Sequence, residues 1–173
     1  MRTPETRYIF NTSVLSNFAA VGQVELLGLL YRGRACTTVT VGDELRRGIN
    51  AGYQYLLKVE EHLSTINPAG WLKVLSIETS LERQLYVDLS SVLDPGEASC
   101  LALAISRRMT FATDDLAARR LADEHKVPLT GTLGILIRLV REQYLSLEFA
   151  NGLLAKMIQL RYRAPVKRLD DFI

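Results

Sequence analysis

Residues 110–115 have the sequence TFATDD and change from apolar to acidic within six positions. Thr110–Thr113 favours a buried β-strand, and the following segment, Asp114–His125, has the spacing of an amphipathic helix. We interpret this stretch as a strand that leads directly into a helix, with two carboxylates at the junction. Strand-to-helix junctions of this kind are typical of a parallel α/β sheet.

The same alternation of short apolar runs and helical segments recurs along the chain. The predicted strands are Tyr8–Phe10, Ala35–Val41, Trp71–Ile77, Thr110–Thr113 and Val127–Thr130. The predicted helices are Thr12–Ala20, Gln23–Arg32, Asp43–Ala51, Tyr53–Leu63, Leu81–Leu89, Asp94–Arg108, Asp114–His125, Thr132–Tyr144 and Leu147–Leu160. This pattern predicts an α/β fold: a three-layer α/β/α sandwich with a mainly parallel sheet of about five strands.

The composition is that of a single globular domain. The chain has 173 residues, of which 48% are hydrophobic, and it has no repeat or linker that would mark a boundary. We expect one domain over residues 1–173, with a C-terminal helix and a basic tail at about 146–173. Since the net charge is only +2, binding of a polyanion would require a local concentration of basic groups.

Three features predict a cytoplasmic protein. The longest apolar runs, such as Val24–Tyr31, are shorter than the roughly 18 residues of a membrane span. The first twenty residues lack the apolar core of a secretory signal. Cys36 and Cys100 are far apart and lack metal-ligand spacing, so we expect them in the core.

Polar and mostly acidic residues occur where the predicted strands end and the neighbouring helices begin. They are Asn11-Thr12-Ser13 after the first strand, Asp43-Glu44 after the second, Glu97 at the start of the helix before the fourth, and Asp114-Asp115 after the fourth. Ligands of an open parallel sheet gather at this edge. Clustered carboxylates repel one another, and a divalent cation relieves that repulsion. Oxygen ligands of this kind favour Mg²⁺ or Mn²⁺.

Each acid also has a possible local role. Glu97 completes a capping box with Asp94, and Asn11 is suited to a helix N-cap. Asp115 is spaced to pair with Arg119. Taken singly, a local role is the simpler explanation for each of these residues except Glu44.

The second acidic position is harder to assign to a local role. Asp43 is placed to cap against Thr40, which leaves Glu44 without a local partner. Helix capping alone does not readily explain why acidic residues occur at corresponding points of successive strand–helix units.

Five segments resemble, in their order and spacing, the PIN-domain family of metal-dependent nucleases, which includes the VapC toxins of toxin–antitoxin pairs. The segments are Ile9–Leu15, Thr38–Leu45, Leu93–Ala98, Phe111–Asp115 followed by Ala118-Arg119, and Gly131–Gly134. The likeness extends from about Tyr8 to Tyr144.

One position departs from the family pattern. The first strand of a PIN domain normally ends in a metal-binding aspartate, and here that residue is Asn11. The family's second and third acids match Glu44 and Glu97. Its last acid matches Asp114, with Asp115 a close alternative. Asparagine offers a carbonyl oxygen but removes one negative charge, so we expect weaker metal binding. The alternative is a catalytically inactive PIN module that binds RNA or a protein partner.

The resemblance implies hydrolysis of an RNA phosphodiester with one or two Mg²⁺ or Mn²⁺ ions. The implied catalytic and metal-binding residues are Asn11, Glu44, Glu97, Asp114 and Asp115. Three hydroxyl side chains, Thr12, Ser13 and Thr113, are expected either to orient ligands or a water, or to cap helices.

Basic residues supply the second requirement of an RNA site, because phosphate contacts provide most non-specific affinity. On the same helices as the acids lie Arg46, Arg47, Arg119 and Arg120, and a C-terminal cluster contains Lys156, Arg161, Arg163, Lys167 and Arg168. Since Ala164-Pro165 ends any helix, we expect this tail to be an exposed arm that holds RNA phosphates or an acidic partner segment. Its removal after Leu160 is expected to weaken RNA binding and to leave the fold intact. Solvated helix faces are the simpler alternative.

The resemblance also implies a toxin with a cognate antitoxin protein, and a homodimer. The segments Tyr53–Leu63 and Leu147–Leu160 carry apolar residues beyond what one sheet needs, although core packing would also account for them.

The rival fold class is another doubly wound domain, either nucleotide-binding or a phosphoryl-transfer receiver. The chain has neither a GxGxxG nor a GxxxxGK[ST] turn, and its first strand is not followed by an acidic pair.

Overall fold

The computed structural model describes Glu5 and residues 7–173. Its centre is a five-stranded sheet with strand order β3-β2-β1-β4-β5, in which every neighbouring pair is parallel. The strands are β1 (Tyr8–Phe10), β2 (Ala35–Thr38), β3 (Lys73–Leu75), β4 (Thr110–Ala112) and β5 (Leu129–Thr130). The predicted α/β/α class with a parallel sheet of about five strands is confirmed.

Nine α-helices connect and cover these strands within the described ranges. They are α1 (Thr12–Ala20), α2 (Glu25–Tyr31), α3 (Val39–Asn50), α4 (Leu57–Glu60), α5 (Ser80–Leu89), α6 (Pro95–Arg107), α7 (Leu116–Glu124), α8 (Thr132–Arg141) and α9 (Leu147–Gln159). Short 3₁₀ turns precede α4 at Gln54–Leu56 and lie near the C-terminus at Asp170–Phe172.

The helices form two layers. The chain moves from β1 to β2 and β3 in one direction across the sheet, and from β3 to β4 and β5 in the other. Because parallel crossovers are right-handed, the two directions place their helices on opposite faces. Accordingly α6 packs with α5 and α7, whereas α1 packs with α8 and α9. In the part of the chain that is described, no helix is long and apolar enough to cross a membrane.

The buried apolar side chains form one continuous core around the sheet. The central strands contribute Ile9, Phe10 and Phe111, all without solvent exposure, because helices cover both faces of a parallel sheet. Helix α6 buries a run of small residues that includes Ala98 and Ala102. These small side chains let the helix lie close to β1, β2 and β4.

Strand β2 ends earlier than its sequence predicts. The Thr38 hydroxyl accepts a hydrogen bond from the Val41 backbone N–H at 3.1 Å, and α3 begins at Val39. The prediction of a strand through Val41 is therefore wrong, as is the expected helix start at Asp43. A helix cap outweighs the β-propensity of this β-branched segment.

The segment Tyr53–Leu63 is not one helix as expected. It consists of a 3₁₀ turn and the single turn α4. Leu56 and Val59 are buried, whereas Tyr53 and Leu57 are exposed. Leu56, Val59 and the equally buried Leu63 have the i, i+3, i+7 spacing of one helix face, which is why the pattern predicted a helix. The helix nevertheless ends at Glu60, and Leu63 instead forms a parallel β-bridge with Leu72.

Candidate functional site

A cleft of about 530 Å³ opens at the carboxyl edge of the sheet, where β1, α3 and α6 meet. Its lining residues are Asn11, Thr12, Ser13, Ser16, Glu44, Arg47, Asp94, Pro95 and Glu97. We call this feature the acidic cleft. It brings together three of the predicted metal-binding residues, namely Asn11, Glu44 and Glu97, with the predicted Thr12, Ser13 and Arg47.

These three side chains reach the cleft from three different elements. Asn11 follows β1 and is the N-cap of α1, as its capping alternative predicted. Glu97 lies in the first turn of α6, and Glu44 lies in the second turn of α3. Because α1, α3 and α6 all begin at the carboxyl edge, residues distant in sequence share one site.

The Glu44 carboxylate is held by two hydrogen bonds. Its Oε1 accepts from the Gly96 backbone N–H at 2.8 Å, and its Oε2 accepts from the Thr12 hydroxyl. A Cβ atom on Gly96 would overlap the Glu44 carboxylate, so a glycine is required for this approach. The carboxylate therefore rests on the positive N-terminal end of α6, where negative charge is favourable.

The half-buried Glu97 side chain has a strongly perturbed acidity. Burial raises the pKa of Glu97 to about 7, and the negative charges of Asp115, Asp94 and Glu44 add to the rise. A hydrogen bond from the Asp94 backbone N–H acts in the opposite direction. The Asp94 side chain makes no cap hydrogen bond, so the predicted capping box is incomplete.

Asn11 is buried between β1 and the end of β4. Its Nδ2 donates to Thr113 Oγ1 at 2.7 Å, and its Oδ1 accepts from Ser13 Oγ at 2.7 Å. Asn11 Oδ1 also accepts from the Val14 backbone N–H at 3.5 Å. Thr113 and Ser13 thus orient the Asn11 amide, as expected for hydroxyls that position a ligand.

Asp114 lies outside the acidic cleft. Its carboxylate accepts hydrogen bonds from Thr132 N at 2.8 Å, Thr132 Oγ1 at 2.5 Å and Asn17 Nδ2 at 3.0 Å. Asp114 lines a separate cavity of about 490 Å³, which Tyr162 also lines. The Tyr162 hydroxyl lies 3.5 Å from Asp114 Oδ1. Asp114 therefore joins α1, α8 and the tail.

The neighbouring acid, Asp115, has a different orientation. It caps α7 by accepting from Ala118 N at 2.8 Å, and it is the largest of the carboxylate contributions to the raised pKa of Glu97. Arg119 does not pair with it, because the Arg119 guanidinium donates to the carbonyls of Thr113 and Thr130 at 2.8 and 3.1 Å. The expected Asp115 and Arg119 ion pair is therefore wrong, and Asp115 supplies the acid after β4 that acts on the cleft.

The two predicted RNA-binding arginines of α3 differ in whether they form ion pairs. Arg46 forms ion pairs with Glu60 at 3.7 Å and Asp43 at 4.0 Å. Arg47 lines the acidic cleft and has no carboxylate within ion-pairing distance among the described residues. Of the two, Arg47 is the one placed to meet a phosphate.

The basic tail is anchored to the protein. Its exposed cations are Lys156, Arg161, Arg163, Lys167 and Arg168. Leu169 is fully buried and its N–H donates to Asn151 Oδ1 at 2.7 Å, while Arg168 pairs with Asp170 at 2.9 Å. The five cations are exposed, as expected, but the arm is attached to the rest of the protein by the buried Leu169, its hydrogen bond to Asn151, and the contact of Tyr162 with Asp114.

The donor chemistry of the acidic cleft fits a divalent cation. Glu44 and Glu97 offer carboxylate oxygens, Asn11 offers a carbonyl oxygen, and neither carboxylate forms an ion pair with a described Lys or Arg. The number of charged donors is small: among Glu5 and residues 7–173, no three Asp, Glu, His or Cys side chains lie close enough together to hold a metal ion.

Fold and cleft together define an α/β/α protein with an acidic site at the carboxyl edge of a parallel sheet. A family model described as a PIN domain matches residues 7–173. The chain therefore belongs to the PIN-domain family, as its sequence predicted. No curated protein shows a significant match to the chain.

Two residues around the site were not predicted. Asn17 and Tyr162 hold the Asp114 carboxylate, together with Thr132 of the Gly131–Gly134 segment. Asn17 lies on the first helix without any acidic neighbour in sequence, and Tyr162 is 48 residues from Asp114. No local signal connects either residue to the site, because the contacts depend on the packing of the tail and of α8.

Proposed function

We propose that this chain is a metal-dependent endoribonuclease and the toxin of a toxin–antitoxin pair. Membership of the PIN-domain family supports a nuclease. The observation that carries the proposal is the acidic cleft, where Glu44 and Glu97 converge without a basic partner among the residues described. Such a cleft repels anions by itself and therefore needs a cation before it accepts a phosphodiester.

Glu44, Glu97 and the carbonyl oxygen of Asn11 are the groups that would hold Mg²⁺ or Mn²⁺. A bound divalent ion lowers the pKa of a water and stabilises negative charge on the phosphate. Asp115 adds negative potential beside Glu97. Asp114 has a positioning role, since it ties α8 and the tail to the site.

The other residues of the cleft orient groups and handle protons. The Thr12 hydroxyl and the Gly96 N–H keep the Glu44 carboxylate turned into the cleft. With a pKa of about 7, Glu97 carries its carboxyl proton in a large fraction of molecules at neutral pH. Arg47 at the wall of the cleft is placed to contact a phosphate oxygen.

A second candidate function is RNA or protein binding without cleavage. Asn11 favours it, because this residue is buried, uncharged and engaged in hydrogen bonds with Thr113 and Ser13. In that case the acidic cleft is an inherited feature of the fold, and substitution of its carboxylates leaves RNA binding unchanged.

We also propose a homodimer and an antitoxin partner. Exposed apolar side chains occur in the two segments that the sequence singled out, including Tyr53 and Leu57 in one and Phe149 and Leu160 in the other. Covering such side chains is a common reason for association. Light scattering at tens of micromolar is expected to give twice the chain mass of 19.4 kDa, and a monomeric mass would contradict the dimer.

The nuclease proposal is tested by cleavage of a labelled RNA with Mg²⁺ or Mn²⁺. We expect weak activity that is lost in EDTA and in Glu44→Gln or Glu97→Gln, but retained in Glu78→Gln, which changes an exposed acid outside the cleft. Equal cleavage by all four proteins would indicate a contaminant. RNA binding without cleavage under every condition would favour the second candidate.

A further inference from the structure

The amino edge of the sheet, opposite the acidic cleft, carries a row of basic residues. Arg7 directly precedes β1, Arg34 directly precedes β2, and Lys73 begins β3. Arg108 lies two residues before β4 and Lys126 three residues before β5. Because all strands are parallel and neighbours lie about 4.8 Å apart, these five positions share one edge.

Four of the arginines of this region surround a cavity of about 590 Å³: Arg7, Arg34, Arg107 and Arg108. We call it the arginine cavity. A smaller cavity of about 260 Å³ shares Arg7 and Gly33 with it and adds Arg32 and Lys73. The two cavities are thus lined by six basic side chains and by one acidic side chain, Glu5.

Several of these cations lack a compensating charge. Arg107 is paired with acids at the start of α5, and Arg34 lies 3.7 Å from the exposed Glu5. Arg7 and Arg108 form no ion pair with any acid in the described part of the chain. The arginine cavity therefore has a net positive charge, although the whole chain is nearly neutral.

Helix ends account for part of this charge. Helices α2 and α6 end at this edge, where Arg32 and Arg108 are their C-caps. The negative end of a helix stabilises a nearby cation. Arg32 and Arg108 already place one cation at the C-terminal end of each helix. Arg7 belongs to no helix, so its charge is additional. The surplus of cations around a concave surface points to an anionic ligand.

We propose that the arginine cavity binds phosphate groups of single-stranded RNA, as a second anion site separate from the acidic cleft. Arginine forks match phosphate oxygens in a bidentate geometry. Arg7 and Asn11 flank β1, so their Cα atoms lie about 13 Å apart at roughly 3.3 Å per residue. Because helices cover both faces of β1, an RNA that contacted both edges would have to pass around the helical layer. The choice of RNA rests on the proposed function, whereas the affinity for phosphate does not.

The test measures binding of a short fluorescent single-stranded RNA by anisotropy in EDTA, so that no cleavage occurs. The edge variant is Arg7→Gln with Arg108→Asn. The control is Lys58→Gln with Arg141→Gln, two exposed cations that line neither the acidic cleft nor the arginine cavity. Asparagine replaces Arg108 because φ there is positive, 53°, a conformation that asparagine tolerates. Each variant thus loses two exposed cations.

We expect the edge variant to bind RNA at least tenfold more weakly and its salt slope to fall by about 1.4, at about 0.7 for each lost phosphate contact. The control variant should stay within twofold of the parent protein. An equal or larger loss in the control variant would overturn the proposal. Unchanged RNA affinity with a lower unfolding temperature in the edge variant would also overturn it, because the cations would then serve the helix ends alone.

Two further measurements separate a phosphate site from a loss of folding and from a site for acidic protein segments. Should the double variant unfold, Arg7→Gln alone decides, since Arg7 lies outside every helix. Competition with tripolyphosphate should displace the RNA. Arg7-dependent binding of a poly-glutamate peptide more tightly than RNA would overturn the proposal in favour of an acidic protein segment. RNA binding at the cavity without any cleavage would contradict the proposed nuclease function but not this site.

Discussion

The side-chain amide of Asn11 donates a hydrogen bond to Thr113 Oγ1 at 2.7 Å, and this bond joins the end of β1 to the residue after β4. An aspartate at position 11 has no N–H to donate. The Thr113 hydroxyl can rotate and donate to it instead, so the contact would survive with its direction reversed. The structure is therefore ready to accept a carboxylate at this position.

We expect Asn11→Asp to increase Mg²⁺- or Mn²⁺-dependent RNA cleavage at least tenfold, because it adds a negative charge to an incomplete donor set. The measurement is the initial rate of cleavage of a labelled RNA. The control adds Glu97→Gln to the Asn11→Asp protein and should abolish the gain. Equal rates for the parent, the single variant and the double variant would contradict the role of the cleft.

Gly96→Ala should lower the activity of the Asn11→Asp protein about tenfold to a hundredfold, the usual effect of disturbing a group that supports a metal ligand. The new methyl group would displace the Glu44 carboxylate from the Gly96 N–H. Gly152→Ala is the matched control, since a Cβ there meets no atom within 4 Å. If both alanine variants retain full activity, the position of Glu44 does not matter for catalysis.

The two adjacent aspartates should give opposite results. Asp114→Asn places an NH₂ group against the donors of Thr132, and we expect a loss of about 1–3 kcal/mol in the free energy of unfolding in urea. Asp115→Asn keeps an efficient N-cap of α7, so stability should change by less than about 0.5 kcal/mol while cleavage falls. Loss of stability in Asp115→Asn alone would contradict this assignment.

The buried pair of Glu82 and Arg107 predicts a pH dependence of stability. Hydrogen bonds from Arg107 lower the pKa of Glu82 from 4.5 to about 2. Because the pKa is lower in the folded protein, the contribution is present above about pH 4.5 and is lost as the pH falls toward 2. The shift corresponds to about 3 kcal/mol.

We expect Glu82→Gln to lose about that amount at neutral pH in urea unfolding, and to show a flatter decline of stability below about pH 4.5. Glu78→Gln, which changes an exposed acid 3.7 Å from Arg107, should cost less than about 0.5 kcal/mol. A decline with acid that is as steep in Glu82→Gln as in the parent would place the sensitive group elsewhere.

Truncation after Leu160 should destabilise the protein, in contrast to the expectation from sequence. The removed segment contains Leu169, which is fully buried, and Tyr162, which lies beside Asp114. Leu169→Ala should cost about 2–5 kcal/mol in chemical unfolding, whereas Leu160→Ala, at a position 52% exposed, should cost little. An unchanged unfolding midpoint for the truncated chain would show that the tail does not contribute to the core.

The order and type of most elements were predictable because their signals are local. Strands β1 and β4 follow from short apolar runs, and α6 follows from its start at Pro95. The wrong predictions occur where two structures compete for the same residues and the sequence pattern does not show which one forms. Thr38 caps a helix inside a β-branched run, and Leu63 forms a β-bridge with Leu72 although Leu56, Val59 and Leu63 have helical spacing.

The sequence by itself determined that acids follow the strands and that Asn11 replaces the first of them. Tertiary structure decided which acids meet. Glu44 and Glu97 share the cleft because α3 and α6 begin side by side, and the Gly96 N–H of α6 donates to the Glu44 carboxylate. Asp114 turns away because Thr132, far along the chain, offers its carboxylate two hydrogen bonds. Side-chain direction depends on such long-range donors, and these are brought together only when the chain packs.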